Sequence, residues 1–217
     1  MAFEFLKWLG HASFLLEVKK KNVYIDPFRL TTVKEKADTI LITHPHFDHC
    51  SSEDIEKIAT EKTEIFVPKD SVGKIKVGKV TGVEPGSSYS SNGIRFSTMP
   101  AYNTSKERLS YHPKASDWVG YIVEAEKSVF HAGDTDFIEE MREVKADLAL
   151  LPMGGTYTMS LDEAIEAAAS IDAKNVAPMH YKALLGKEGS ANAEKEFSAR
   201  VKNSIIFNEA QKPYYSF

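Results

Sequence analysis

Three histidines and an aspartate fall within six consecutive residues, His44-Pro45-His46-Phe47-Asp48-His49. They follow residues 39–43, a nearly continuous apolar run of the kind that forms a buried strand. Hydrogen bonding alone rarely needs such a density of imidazole, and the cluster holds three of only seven histidines in the chain. On a loop after a strand, His44 and His46 can turn toward one point, and Asp48 and His49 toward a neighbouring one. Imidazole nitrogen and carboxylate oxygen suit zinc, iron, manganese or nickel. Structural zinc sites are closed and rich in thiolate. A site without cysteine ligands fits a catalytic centre that keeps a position open for water.

The rest of the chain predicts strands that bring more ligands to the same place. Residues 3–8, 13–18 and 22–25 are short, rich in β-formers and separated by turn residues. A helix is expected over 52–59, capped by Ser51 or Ser52, and strands over 64–67 and 94–99. Residues 69–93 carry many glycines and lysines and give no clear pattern. Residues 102–117 form a long polar loop, a length associated with function or mobility. A hairpin follows over 119–125 and 128–131, then a short helix over 136–144 and a buried strand over 148–151. Ser160 and Glu163 form a capping box for a helix whose Leu161, Ile165, Ala168 and Ala169 share a side. A strand over 176–178 ends before His180. A polar helix near 193–202 and a strand near Ile205 close the chain. Meandering strands early and strands alternating with helices later predict a layered α/β domain with mixed sheets, a single domain over 1–217. Three strands end at candidate ligands, His44, Asp134 and His180, which would converge on one rim.

Hydrophobic residues at 42%, charged residues at 27% and a net charge of −4 describe an ordinary globular chain. No basic block could neutralise many phosphates, so nucleic acid is not an expected partner. A small-molecule substrate is, an anionic one included, because a metal supplies its own positive charge. The single cysteine, Cys50, excludes an internal disulfide and suits a reducing compartment. Glu4 and Lys7 interrupt the N-terminal apolar run, and no stretch reaches the ~20 apolar residues that span a bilayer. A cytoplasmic protein without membrane association, free to form a homo-oligomer, is expected.

The string Thr43-His44-Pro-His46-Phe-Asp48-His49 matches the H-x-H-x-D-H signature of the metallo-β-lactamase fold superfamily. Trp8-Leu-Gly-His11-Ala-Ser-Phe14, Ile25-Asp26-Pro27, His131-Ala-Gly-Asp134-Thr135-Asp136, residues 150–159 and Pro178-Met-His180-Tyr181 resemble its lactonase-like branch, in the right order. That branch includes relatives of ascorbate-6-phosphate lactonase and of N-acyl-phosphatidylethanolamine phospholipase D. The resemblance implies a four-layer αββα sandwich of two mixed β-sheets with two divalent metal ions at one edge. Zinc is the first expectation, with manganese, iron or nickel as others. It further implies that His44 and His46 bind the first metal, Asp48 and His49 the second, that Asp134 bridges both, and that His180 completes the second site.

One departure from the family pattern stands out. The third histidine of the first metal usually follows a strand and a proline. Here that position reads Pro100-Ala101-Tyr102-Asn103. An amide oxygen is a poor zinc ligand and a tolerable one for harder metals. Three readings stay open: Asn103 leaves the first site weak, His112 folds back from the polar loop to replace the ligand, or His11 reaches the rim and binds a metal itself. A turn role for His11 and a solvated loop position for His112 compete with ligation.

Among the remaining residues, Asp26 is expected either to hold a ligand histidine by its second ring nitrogen or to serve as a plain turn aspartate. Asp136 is expected to cap the following helix, His131 to be a packed histidine, and Cys50 a buried filler. Tyr157, after Gly154-Gly155, and Tyr181, beside His180, are candidates for the substrate pocket, with Lys182 at the surface. These residues predict metal-assisted hydrolysis of a small ester, lactone or phosphodiester. A water held between two metals would lose its proton near neutral pH, and Asp48 would orient the nucleophile or accept that proton. The alternatives are a di-iron redox or oxygen-handling protein of the same fold and a non-catalytic metal- or nucleic-acid-binding module.

Overall fold

The structure is a computed structural model and describes residues 3–32 and 35–215. Two six-stranded mixed sheets face each other. The first runs in spatial order β1 (Leu6–Gly10), β2 (Ser13–Val18), β3 (Lys21–Ile25), β4 (Thr39–Leu41), β5 (Glu64–Pro68) and β6 (Lys79–Val83). The second contains β7 (Ser88–Ser91), β8 (Ile94–Pro100), β9 (Val119–Glu124), β10 (Val129–His131), β11 (Lys145–Pro152) and β12 (Asp172–Met179), ordered β12-β11-β10-β9-β8-β7.

Side-chain alternation explains the layering. In β2, Phe14, Leu16 and Val18 enter the core between the sheets, whereas Leu15 points to the opposite face. In β4 and β5, Leu41 and Phe66 face the second sheet, while Ile40, Ile65 and Val67 pack against Ile55 and Ile58 of α1 (Ser52–Ile58). Both faces of these strands are therefore buried, which is why their sequence is apolar almost without interruption. Tyr121 and Phe130 of the second sheet are sealed in the central core, where burial of a large apolar side chain is worth about 1.5–3 kcal/mol. Across the gap, Tyr121 Oη donates to the Ile42 carbonyl at 2.9 Å. α2 (Leu161–Ser170) and α3 (Lys182–Arg200) add the outer layer through Ala164, Ala167, Ala193 and Phe197.

Strand direction places the chemistry. In the first sheet β1 is antiparallel to β2, β2 to β3, and β3 is parallel to β4, so β1, β3 and β4 end at one edge. In the second, β8 and β10 are both antiparallel to β9, and β10, β11 and β12 are parallel, so β8, β10 and β12 also share an end. His11, Asp26 and His44 follow the first set, and Asn103, Asp134 and His180 the second. The backbone N–H of Val119 donates to the Thr43 carbonyl at 3.1 Å and joins the two edges.

Several elements depart from the sequence expectations. The expected helix over 136–144 is a 3₁₀ turn, Glu139–Glu143, led in by extended backbone at Ile138. Asp136 does not cap it; its carboxylate accepts from the loop that starts at Asn103, as described below. No strand forms at Ile205, where the chain makes a single bridge between Ser204 and Val176. The polar helix begins earlier, at Lys182, and Gly186 interrupts it at φ 67°. The unassigned 69–93 stretch holds a 3₁₀ turn, Lys69–Lys74, and strands β6 and β7. Among the described residues, no helix is long and apolar enough to cross a membrane.

Candidate metal centre

Asp26 organises the first sheet's contribution. Its carboxylate accepts from the Thr43 N–H at 2.8 Å, from Thr43 Oγ1 at 2.6 Å and from His49 Nδ1 at 2.7 Å. A carboxylate can only accept here, so His49 carries a proton on Nδ1 and presents Nε2 to the rim. Asp26 and His11 both hold left-handed backbone, at φ 46° and 53°, as does His180 at φ 55°. Such conformations cost about 1–3 kcal/mol and persist where surrounding contacts enforce them. Here the His180 N–H donates to the His11 carbonyl at 3.0 Å, locking the two turns together and setting their rings 3.7 Å apart between centroids. The chain beside His180 must be bare: a Cβ on Gly154 would lie 2.5 Å from the His180 carbonyl oxygen.

Two ligand clusters result. His11, Asp48, His49 and His180 form one and His44, His46 and His112 the other, with the ligand atoms of each within 4.8 Å of one another. Asp134 lies between them. Its Oδ1 is 3.4 Å from His49 Nε2, and its Oδ2 is 3.1 Å from His180 Nε2 and 3.4 Å from His112 Nε2. His44 Nε2 stands 3.0 Å from His46 Nδ1 and 4.0 Å from Asp134 Oδ2. Asp48 Oδ2 lies 2.9 Å from His11 Nε2 and 3.7 Å from His180 Nε2.

These spacings suit divalent ions. Tetrahedral ligands at Zn–N distances of about 2.0–2.1 Å are roughly 3.3 Å from each other. The Nε2 atoms of His49, His112 and His180 and Oδ1 of Asp134 are buried and have no hydrogen-bond partner, a costly arrangement unless a cation meets them. Electrostatics agree. Burial and the neighbouring His49 hold His44 well below the ordinary histidine range, and burial lowers His46. Burial and His180 take His11 down to about 3. Burial also opposes charge on His49 and His180, but Asp134 outweighs it, holding His49 well above its usual range and raising His180 to about 9. The carboxylates thus demand positive charge at the rim, which divalent cations supply.

The polar loop resolves the departure at Asn103. His112, not His11, stands with His44 and His46; His11 belongs to the other cluster. Asn103 is in neither. Its Oδ1 accepts from His112 Nδ1 at 2.8 Å, and its Nδ2 donates to Asp136 Oδ1 at 2.9 Å and to the Tyr157 carbonyl at 3.1 Å. The two acceptors fix the amide's orientation, and the amide fixes the His112 tautomer with Nε2 facing Asp134. Asp136 also accepts from the N–H groups of Thr104 and Ser105, at 2.8 and 2.9 Å, and pairs with Arg108 at 2.8 Å. Arg108 reaches Glu163 of the α2 capping box in turn. The loop is therefore nailed to the second sheet and to α2 from its first residues onward.

Other expected residues fall where their chemistry requires. His131 is buried, and its Nε2 donates to the Ala12 carbonyl at 2.8 Å. Cys50 is buried, and burial pushes its thiol up to about 11. Tyr157 lines a cavity of about 380 Å³ with His46, Phe47, Asp48, Tyr111, His112 and Asp134. Tyr181 does not reach it. Its ring stacks on Trp8 at 5.7 Å and its hydroxyl donates to Glu194 at 2.5 Å, because the start of α3 turns it into the core. Lys182 is not at the surface either; it is 9% exposed, with its ammonium over the Trp8 ring. Sequence reasoning passed over Thr43, Trp118 and Tyr111. Trp118 packs 5.2 Å from His44 and 5.1 Å from His46 and donates to Asp70, backing the first cluster. The only available signal for Tyr111 was its place beside His112.

Comparison with known proteins agrees with this geometry. Residues 5–180 match the model of the Beta-lactamase superfamily domain. A UPF0173 metal-dependent hydrolase of Thermoplasma acidophilum is 32% identical over 95% of this chain and 96% of its own length. One from Methanoregula boonei is 34% identical over 93% of each chain. A crystal structure from Parabacteroides distasonis, described as a candidate metal-dependent hydrolase, superposes with a TM-score of 0.82 at 31% identity, covering 94% of this chain and 92% of that one. The chain belongs to the β-lactamase superfamily, among its metal-dependent hydrolases.

Proposed function

We propose that the chain hydrolyses a small ester, lactone or phosphodiester at a centre of two divalent cations, zinc before manganese, iron or nickel. The observation that carries this reading is the position of Asp134 between two clusters of ligand atoms. His44, His46 and His112 would hold one ion, and His49, His180, Asp48 and His11 the other, with Asp134 common to both. Ions bound there supply Lewis acidity toward the scissile oxygen and acidify water.

The chain's own residues supply position. Asp26 and Asn103 present imidazole Nε2 atoms at fixed angles. Asp48 lines the cavity as well as its cluster, so its carboxylate is placed to orient the attacking water and accept its proton. Its pKa is well below the usual carboxylate range: burial opposes the charge, but the neighbouring His49, His11 and His180 outweigh that. The buried Trp118 ring backs His44 and His46 and covers that side of the first cluster.

Elemental analysis of protein purified without added metal, followed by assays on lactones, phosphodiesters and acyl esters, tests the reading. Turnover that vanishes with chelation and with Asp48→Ala supports it. Two irons with a visible absorption band and no hydrolysis would replace it with redox chemistry.

A further inference from the structure

The cavity over the centre has a chemical character of its own. Its walls beyond the ligands are aromatic: Phe47, Tyr111 and Tyr157. Phe47 is 68% exposed and meets Phe28 edge to face, with ring centroids 5.9 Å apart. Tyr111 and Tyr157 pack edge to face with ring centroids 4.8 Å apart, each over a third exposed. The described residues that line the cavity include no lysine or arginine. The nearby Arg108 is committed to Asp136, Glu163 and the Gly155 carbonyl.

Each aromatic is tied to the reacting centre by the chain itself. Phe47 sits between His46 and Asp48, and Tyr111 precedes His112. The Tyr157 carbonyl receives the Asn103 amide that holds His112. A group lying on these rings is therefore held close to His46, Asp48 and His112, which line the same cavity.

We propose that the substrate carries an uncharged apolar group, alkyl or aryl, that lies against Phe47, Tyr111 and Tyr157 while its ester or lactone carbonyl meets the metal centre. This rests on the hydrolase reading and narrows it from esters, lactones and phosphodiesters to neutral apolar esters and lactones. Discrimination comes from desolvation: a carboxylate or phosphate on the distal group finds no cationic side chain among these walls. An alkyl group gains about fourfold in binding for each methylene fully buried.

The test uses the full chain loaded with zinc. kcat/KM is measured for γ-butyrolactone, for γ-nonalactone, which adds a pentyl tail, and for γ-butyrolactone carrying a carboxylate. The expected result is a gain of at least about 10-fold for the pentyl tail, which needs only partial burial of its methylenes, and no gain for the carboxylate. In Tyr111→Ala/Tyr157→Ala the ratio between the two neutral lactones falls to about one while metal content is retained. Equal rates on the neutral lactones, or preference for the carboxylate, overturns the proposal. Calorimetry with cyclopentanone and 2-pentylcyclopentanone, which cannot be hydrolysed, separates the two readings. Tail-dependent binding without turnover of any lactone contradicts the hydrolase reading and leaves the apolar site standing; equal binding of both ketones overturns the apolar site. If the double variant changes the oligomeric mass and leaves the lactone ratio intact, the aromatic rim is an interface between copies and the proposal falls.

Discussion

His49 Nδ1 lies 2.7 Å from Asp26 Oδ2, with both side chains sealed from solvent. The same carboxylate takes both polar hydrogens of Thr43, so one buried aspartate sets the direction of His49 and the end of β4. Asp26→Asn keeps the shape and weakens the acceptor. Its expected cost is a 10–100-fold, order-of-magnitude loss of metal affinity, read by chelator competition. Asp26→Ala strands the Thr43 donors and should lose about 1–3 kcal/mol in denaturant unfolding for each buried group left unpaired.

Asn103 makes a separable prediction, because its contact is with the other cluster. Asn103→Ala frees His112 Nδ1 and should lower affinity for one ion by roughly 10–100-fold while the second stays bound. Dialysis against a graded chelator should then show one equivalent leaving early, as in His112→Ala. Asn103→Asp keeps an acceptor for His112 but sets a carboxylate against Asp136, so it should destabilise the loop without restoring wild-type affinity. Loss of both ions together in Asn103→Ala would contradict the division into two clusters.

Cys50 provides a pH-dependent check on burial beside the site. Only thiolate reacts with alkylating reagents, and a pKa raised to about 11 leaves less thiolate at a given pH than an exposed cysteine has. At pH 8 the folded protein should be alkylated about 100-fold more slowly than the unfolded chain, the rate rising with pH up to about 11. Equal rates in the two states would show that the loop after His49 is open.

Tyr181 separates packing from chemistry. Removing its hydroxyl in Tyr181→Phe deletes the bond to Glu194 and should cost about 1.5–3 kcal/mol of stability, measured by urea unfolding. KM should stay at the wild-type value, since the ring is away from the cavity. A raised KM at unchanged stability would place it back at the substrate.

The parts of the fold and site that were legible share one trait: their information is local. The H-x-H-x-D-H run is contiguous, residues 39–43 announce their strand by apolarity, and the Ser160–Glu163 capping box spans four residues. Asp134 and His180 were found because each follows a strand. What stayed open depended on contacts far apart in sequence. Whether His112 or His11 stands with His44 and His46 is decided by Asp136, 33 residues after Asn103, and by the hydrogen bond between the His11 and His180 turns. Tyr181 and Lys182 were misplaced because the direction in which α3 leaves His180 is set by packing on Trp8, not by spacing. The helix expected over 136–144 shortened because Asp136 is spent on the polar loop rather than on a cap.

Two ions sharing Asp134 is the arrangement on which the proposed function depends. Metal stoichiometry by elemental analysis, compared between the wild-type chain, His112→Ala and Asp134→Ala after identical zinc loading and desalting, tests it most directly. Two equivalents are expected in the wild type, one in His112→Ala, and fewer than one in Asp134→Ala. One equivalent in the wild type, or two retained in Asp134→Ala, would contradict it.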